Sequence, residues 1–150
     1  MRYDWEDLNR QEVVAFVEHF IKMELAMYGL LTSTTAVDNR GIDFVARLKS
    51  GPFINIKARI LREAGYTSVQ KSEFPLSPQQ FMAVVLLGQG KSPALYLIPA
   101  EAWRSPNALL LDRGFKENLS APEWGLNVSE KHMPLLAPYA VDNMIEKLRG

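Results

Sequence analysis

Asp43, Asn55 and Lys57 are the residues whose types and spacing could do chemistry, and that chemistry is phosphodiester work on a divalent cation. Asp43 stands at the start of a strand-like run opening Gly41-Ile42-Asp43, and Asn55 and Lys57 straddle one apolar residue in Phe53-Ile54-Asn55-Ile56-Lys57. Side chains two apart in a strand share a face, so Asn55 and Lys57 project together. Ser50-Gly51-Pro52 reads as the turn between the two runs. Pairing across that turn brings Asp43 opposite Lys57 on the same face of a hairpin. A carboxylate and an amide oxygen can ligate Mg²⁺ or Mn²⁺, and a lysine can orient water or offset charge developing on phosphate. Asn55 brings an oxygen but no charge. Glu18, at the border of the apolar stripe of the first helical segment, is the acid that could join them from a helix.

The elements that must position these residues follow from periodicity. Val13, Val14, Phe16, Val17, Phe20, Ile21 and Leu25 keep a helical rhythm, with Asp7 or Asn9 as the cap and Gly29 at the end. Residues 30–36 are rich in β-branched side chains and read as a strand, followed by the turn Asp38-Asn39-Arg40-Gly41. Residues 42–49 and 53–61 form the hairpin, and 62–78 read as irregular. The continuous apolar run 81–87 is predicted to be a strand buried on both faces. Gly88–Pro93 turns into a strand over 94–99, then a short helix over 100–104 and strands over 109–111 and 124–128. An amphipathic helix over 138–149 points Val141, Ile145 and Leu148 inward. Helices at both ends of a strand-rich middle predict an α/β or α+β fold, with helices on a mixed sheet.

With 150 residues and 47% hydrophobic content, the chain fits one domain with a sizeable core. The formal net charge of zero excludes a strongly basic nucleic-acid binder, but the charge is unevenly spread. Residues 1–39 hold three basic residues against seven acidic ones, whereas 40–71 hold seven basic residues against Asp43 and Glu63. The basic field thus coincides with the candidate site, and Arg40, Arg59 and Arg62 are candidates to hold flanking phosphates of DNA or RNA. An equally simple reading is a half-solvated hairpin with its cations turned outward.

The lack of cysteine excludes disulfide scaffolds and thiolate chemistry. The acidic segment Met1–Asp7 has no apolar signal core, and no apolar run approaches membrane-spanning length, so the expectation is a cytoplasmic protein with no membrane partner. Two distant histidines, His19 and His132, make no triad. Gly88-Gln89-Gly90-Lys91-Ser92 lacks phosphate-loop spacing and reads as a turn.

In order and spacing these motifs resemble the PD-(D/E)xK nuclease-like proteins. Glu18 lies eleven residues before the helix-ending Gly29, Gly41-Ile42-Asp43-Phe44 fills the place of the family's Gly-Ile-Asp-Leu, and Ile54-Asn55-Ile56-Lys57 fills that of apolar-(Asp/Glu/Gln)-apolar-Lys. The resemblance covers about residues 16–60 and extends loosely to Tyr96-Leu97-Ile98-Pro99, as in small single-domain bacterial members. It implies a restriction-endonuclease-like core of a helix, three strands, then a further helix and strand. It also implies Mg²⁺ or Mn²⁺ held by Asp43, Glu18 and Asn55, with Lys57 acting on water or phosphate. The departure is Asn55, neutral and short where the family has a longer or charged side chain. Two readings stand: a metal-dependent nucleic-acid phosphodiesterase with a weakened site, or a catalytically inactive module of that fold, as a monomer or a homodimer, binding nucleic acid or a protein partner.

Overall fold

The computed structural model describes residues 2–38, 40–47, 51–114 and 121–148. Helix α1 (Arg10–Met27) starts at a capping box: the Asn9 side chain accepts from the Glu12 backbone N–H at 2.8 Å, and the Glu12 carboxylate accepts from the Asn9 N–H at 2.9 Å. It stops where Gly29 takes a φ of 90°, with the Leu30 N–H donating to Leu25 and the Gly29 N–H to Ala26. That pair of bonds is the Schellman closure, which a glycine adopts without a Cβ penalty. Val13, Val14, Val17, Ile21 and Leu25 form the buried side of α1.

Among the described residues eight strands follow: β1 (Leu31–Val37), β2 (Ile42–Arg47), β3 (Phe53–Arg62), β4 (Gly65–Gln70), β5 (Gln80–Leu87), β6 (Ala94–Pro99), β7 (Leu110–Arg113) and β8 (Glu123–Val128). They make a five-stranded sheet in the order β1-β2-β3-β5-β6 and a three-stranded sheet in the order β4-β8-β7. In the larger sheet β3 and β5 are parallel and every other pair is antiparallel, so the sheet is mixed. The fold is α+β, with the N-terminal helix, antiparallel hairpins and a C-terminal helix expected from sequence. That helix, α3, runs Val141–Leu148; ahead of it come α2 (Met133–Leu136) and a 3₁₀ turn over Ala137–Tyr139, where the sequence suggested the helix had already begun.

Alternation along β3 and β5 sends side chains to two different cores, whereas β2 feeds only the first. Ile42, Phe44, Ala46, Ile54, Ile56 and Ala58 pack with α1 and α3. On the opposite face, Leu61, Met82, Val84 and Ile98 pack with Val69, Leu126 and Val128 of the small sheet and with Trp103 and Phe74. Trp103 meets Phe74 edge-on at 5.6 Å and donates its indole N–H to Gly125 O at 2.9 Å. β5 is therefore covered on both faces, which is why its sequence shows no alternation.

One element was misread in the sequence. Residues 62–78 are not irregular throughout, because β4 lies within them. Its sequence is polar and offers one fully buried side chain, Val69, and its partner β8 lies far along the chain. The second face of the sheet is thus closed by strands rather than by helices. The turn expected at Ser50-Gly51-Pro52 falls partly outside the described residues.

Candidate functional site

β2 and β3 pair in the register expected from sequence: Asp43 faces Lys57, Val45 faces Asn55 and Arg47 faces Phe53. The Lys57 ammonium donates to Asp43 Oδ2 at 2.9 Å, with the lysine side chain 16% and the aspartate 34% exposed. Asn55 is exposed on the same face, two positions along β3. Beyond it the Arg47 guanidinium lies over the Phe53 ring, 5.4 Å from its centre. These residues share the face that carries Leu61, yet the apolar packing of the small sheet reaches only Leu61, β5 and β6. On β2 and the start of β3 that face is outside the second core, with Arg47 and Asn55 exposed and Asp43, Val45 and Lys57 half-buried.

Two local devices set this geometry. Asp38 Oδ1 accepts from the backbone N–H of Arg40 at 2.8 Å and of Gly41 at 3.1 Å, closing the turn into β2. Those donors, the Arg40 N–H foremost, hold the Asp38 carboxyl below the usual range. At Gly41 any Cβ would collide with the Ala58 carbonyl oxygen and come within 2.8 Å of the Arg59 guanidinium. The glycine of Gly-Ile-Asp is thus a close-approach residue, letting β2 enter against β3.

Glu18 does not join Asp43. Its carboxylate accepts from the Thr34 hydroxyl at 2.6 Å, with Lys22 at 3.8 Å. Thr34 is the cross-strand partner of Phe44, on the face that packs against α1, whereas Asp43 projects from the opposite face. The apolar stripe of α1 seats the helix over Phe44 and Ile56, so the sheet itself separates the two acids. Among the described residues no three His, Cys, Asp or Glu side chains come together. As a donor set for Mg²⁺ or Mn²⁺ these residues fit poorly: one carboxylate already held by an ammonium, and one neutral amide.

The three candidate arginines occupy three different settings. Arg62 donates to Trp5 O at 3.2 Å and so ties the N-terminal segment to the end of β3. Arg59 is only 7% exposed, and it donates through Nε to Ser68 O at 3.1 Å and through Nη1 to Ala58 O at 3.0 Å. Burial lowers its pKa, with Asp43 as the largest opposing influence. Arg40 is exposed and, with Arg59, lines a crevice of about 360 Å³ whose other walls are Thr67, Ser68, Gln70, Ala121 and Glu123. Sequence reasoning missed those walls because they belong to β4 and to its pairing with β8. Tyr66 closes them from outside: its hydroxyl donates to the Glu123 carboxylate, and burial first and then that bond push the phenol up to about 12.

The weaker candidates have structural settings. His132 is buried with Nδ1 2.9 Å from Asn127 O, and the Gly88–Lys91 turn holds the Trp5 indole through the carbonyls of Gly88 and Lys91. Lys71 lies over the Trp124 ring at 4.0 Å. Among the described residues no helix is long and apolar enough to cross a membrane. In comparisons with known proteins, no family model, no curated protein and no solved structure matches this chain.

Proposed function

We propose that this protein is a catalytically silent nuclease-like module that binds nucleic-acid phosphates on the open half of its larger sheet. The observation that carries the reading is the Lys57–Asp43 pair on that uncovered face, with Asn55 and Arg47 beside it and Glu18 turned to the other side of the sheet. The order of elements supports the nuclease resemblance: a helix, three antiparallel strands, then a strand parallel to the third. It departs in the crossover, where β4 and a 3₁₀ turn stand in place of the expected helix. Lys57 and Arg47 supply cation, Asn55 supplies hydrogen bonds, and Phe53 offers an exposed ring for base stacking. A cytoplasmic setting suits a chain without cysteine.

The enzyme reading keeps one point in its favour, the adjacency of Asp43 and Lys57 on an open surface. The two readings part in a hydrolysis assay on single- and double-stranded DNA and RNA with Mg²⁺ or Mn²⁺. The expected outcome is retention without cleavage in the native protein. Brisk hydrolysis that disappears in Lys57→Ala would replace the silent module with an active phosphodiesterase. The protein-partner reading rests on exposed Met27, Leu31, Val37 and Phe53. It prevails if no nucleic acid is retained at low salt.

A further inference from the structure

We infer that the crevice between the two sheets is a separate site for a phosphate monoester, gripped by Arg59 and Arg40 and read by Glu123. This goes beyond the nucleic-acid reading and does not rest on it, because the crevice lies between β3 and β4 while the open face lies on β2 and the start of β3. Arg59 is the first indication. A guanidinium taken out of water is costly unless its charge and donors are met. Yet no carboxylate of a described residue comes within ion-pair distance of Arg59, and Asp43, Asp38 and Glu73 support its charge only from farther off. Its bonds go to two backbone carbonyls, Ser68 O and Ala58 O, and its remaining donors have no protein acceptor among the described residues. A largely buried arginine, fixed by two backbone carbonyls and with donors to spare at the wall of a crevice, is placed to receive an anion from outside.

The walls say which anion. Arg40 adds a second guanidinium at the exposed rim, and Ser68 and Gln70, on the face of β4 shared with Glu123, add a hydroxyl and an amide. Glu123 is the discordant member, a carboxylate in an anion site. One of its oxygens takes the Tyr66 hydroxyl, and the other has no hydrogen-bond partner among the described residues. A fully ionised anion such as a sulfate ester would meet that oxygen with repulsion alone. A phosphate monoester, whose second ionisation lies near neutrality, can keep a P–OH proton and donate it to the carboxylate. Glu123 then selects phosphate against sulfate, while the arginines supply the attraction. The crevice, about 360 Å³, holds a phosphate head and a small organic group.

The pair phenyl phosphate and phenyl sulfate tests this by isothermal titration near neutral pH. Phenyl phosphate should bind saturably and roughly tenfold more tightly than phenyl sulfate, the value of one good charge-assisted hydrogen bond. Glu123→Gln should bring the two ligands level. Arg40→Ala, at an exposed position, should weaken phenyl phosphate roughly tenfold, and Arg59→Met should abolish its binding in protein that still melts cooperatively. Arg47→Ala, at the far end of the hairpin, should leave phenyl phosphate untouched, which separates this site from the nucleic-acid face. The proposal is overturned if phenyl phosphate gives no saturable heat, if Arg40→Ala leaves its affinity unchanged, or if the native protein binds both esters equally.

Discussion

The two ends of β3 lie on one strand and present cations to the same face, yet the protein treats them in opposite ways. At the start, Asn55 is exposed, and Lys57, half-buried, takes its partner from the neighbouring strand. At the other end, Arg59 is buried against Ser68 of β4 and Leu61 is packed into the second core. The switch is made by the small sheet, whose apolar packing covers β5, β6 and the end of β3. A strand's alternation tells which face a side chain takes; what covers that face decides whether the side chain is a contact, a wall or a core residue.

The largest effects should come from the covered end. Trp103→Ala, which removes the largest buried side chain of the second core and its bond to Gly125, should cost about 3–5 kcal/mol. Phe44→Ala in the first core should cost a similar amount, about 3–5 kcal/mol. Urea unfolding followed by both fluorescence and circular dichroism should give one transition for each variant. Separate transitions in Trp103→Ala would mean that the small sheet folds on its own and does not fix the boundary at Arg59.

Gly41→Ala comes next, because its methyl group would strike the Ala58 backbone carbonyl, which cannot swing aside as a flexible side chain can. The expected loss is about 1–3 kcal/mol, read from the urea midpoint. A neutral result would mean that β2 can enter its pairing with β3 from a different position, and that the Asp43–Lys57 register is not fixed there.

The smallest stability effects belong to the open end. Asp43→Asn and Lys57→Met should each change stability by less than about 1 kcal/mol, since the pair is partly solvated. Their effects on nucleic-acid retention should have opposite signs. Lys57→Met removes a phosphate-facing cation and weakens binding, whereas Asp43→Asn removes the anion beside it and tightens binding at low salt. Weakening by both would mean that the carboxylate itself takes part, as a metal site would require.

What the sequence made legible tracks how each residue is held. The hairpin register and the helix stop at Gly29 are local, so spacing alone located them, whereas for the cap it left Asp7 and Asn9 open and the capping box falls on Asn9. The face taken by Glu18 was not legible, because a residue at the edge of a helical stripe can turn either way. Only the seating of α1 on Phe44 and Ile56 decided it. Arg59 was assigned with Arg40 and Arg62 to flanking phosphates, yet its burial depends on β4. That strand's polar sequence carries little apolar periodicity and is defined by a partner almost sixty residues away. Long-range pairing of a polar strand leaves no local signature.

The central claim, that the open half of the sheet meets nucleic-acid phosphates, is tested most directly by fluorescence anisotropy. The probe is a labelled single-stranded oligonucleotide without terminal phosphates, titrated at several salt concentrations. The native protein should bind it with an affinity that falls as salt rises, because each phosphate contact releases counterions. Lys57→Ala and Arg47→Ala should each reduce the slope of log affinity against log salt by roughly 0.7, and Arg59→Met should leave that slope unchanged. Salt-independent binding, or a slope insensitive to both Lys57 and Arg47, would contradict the claim.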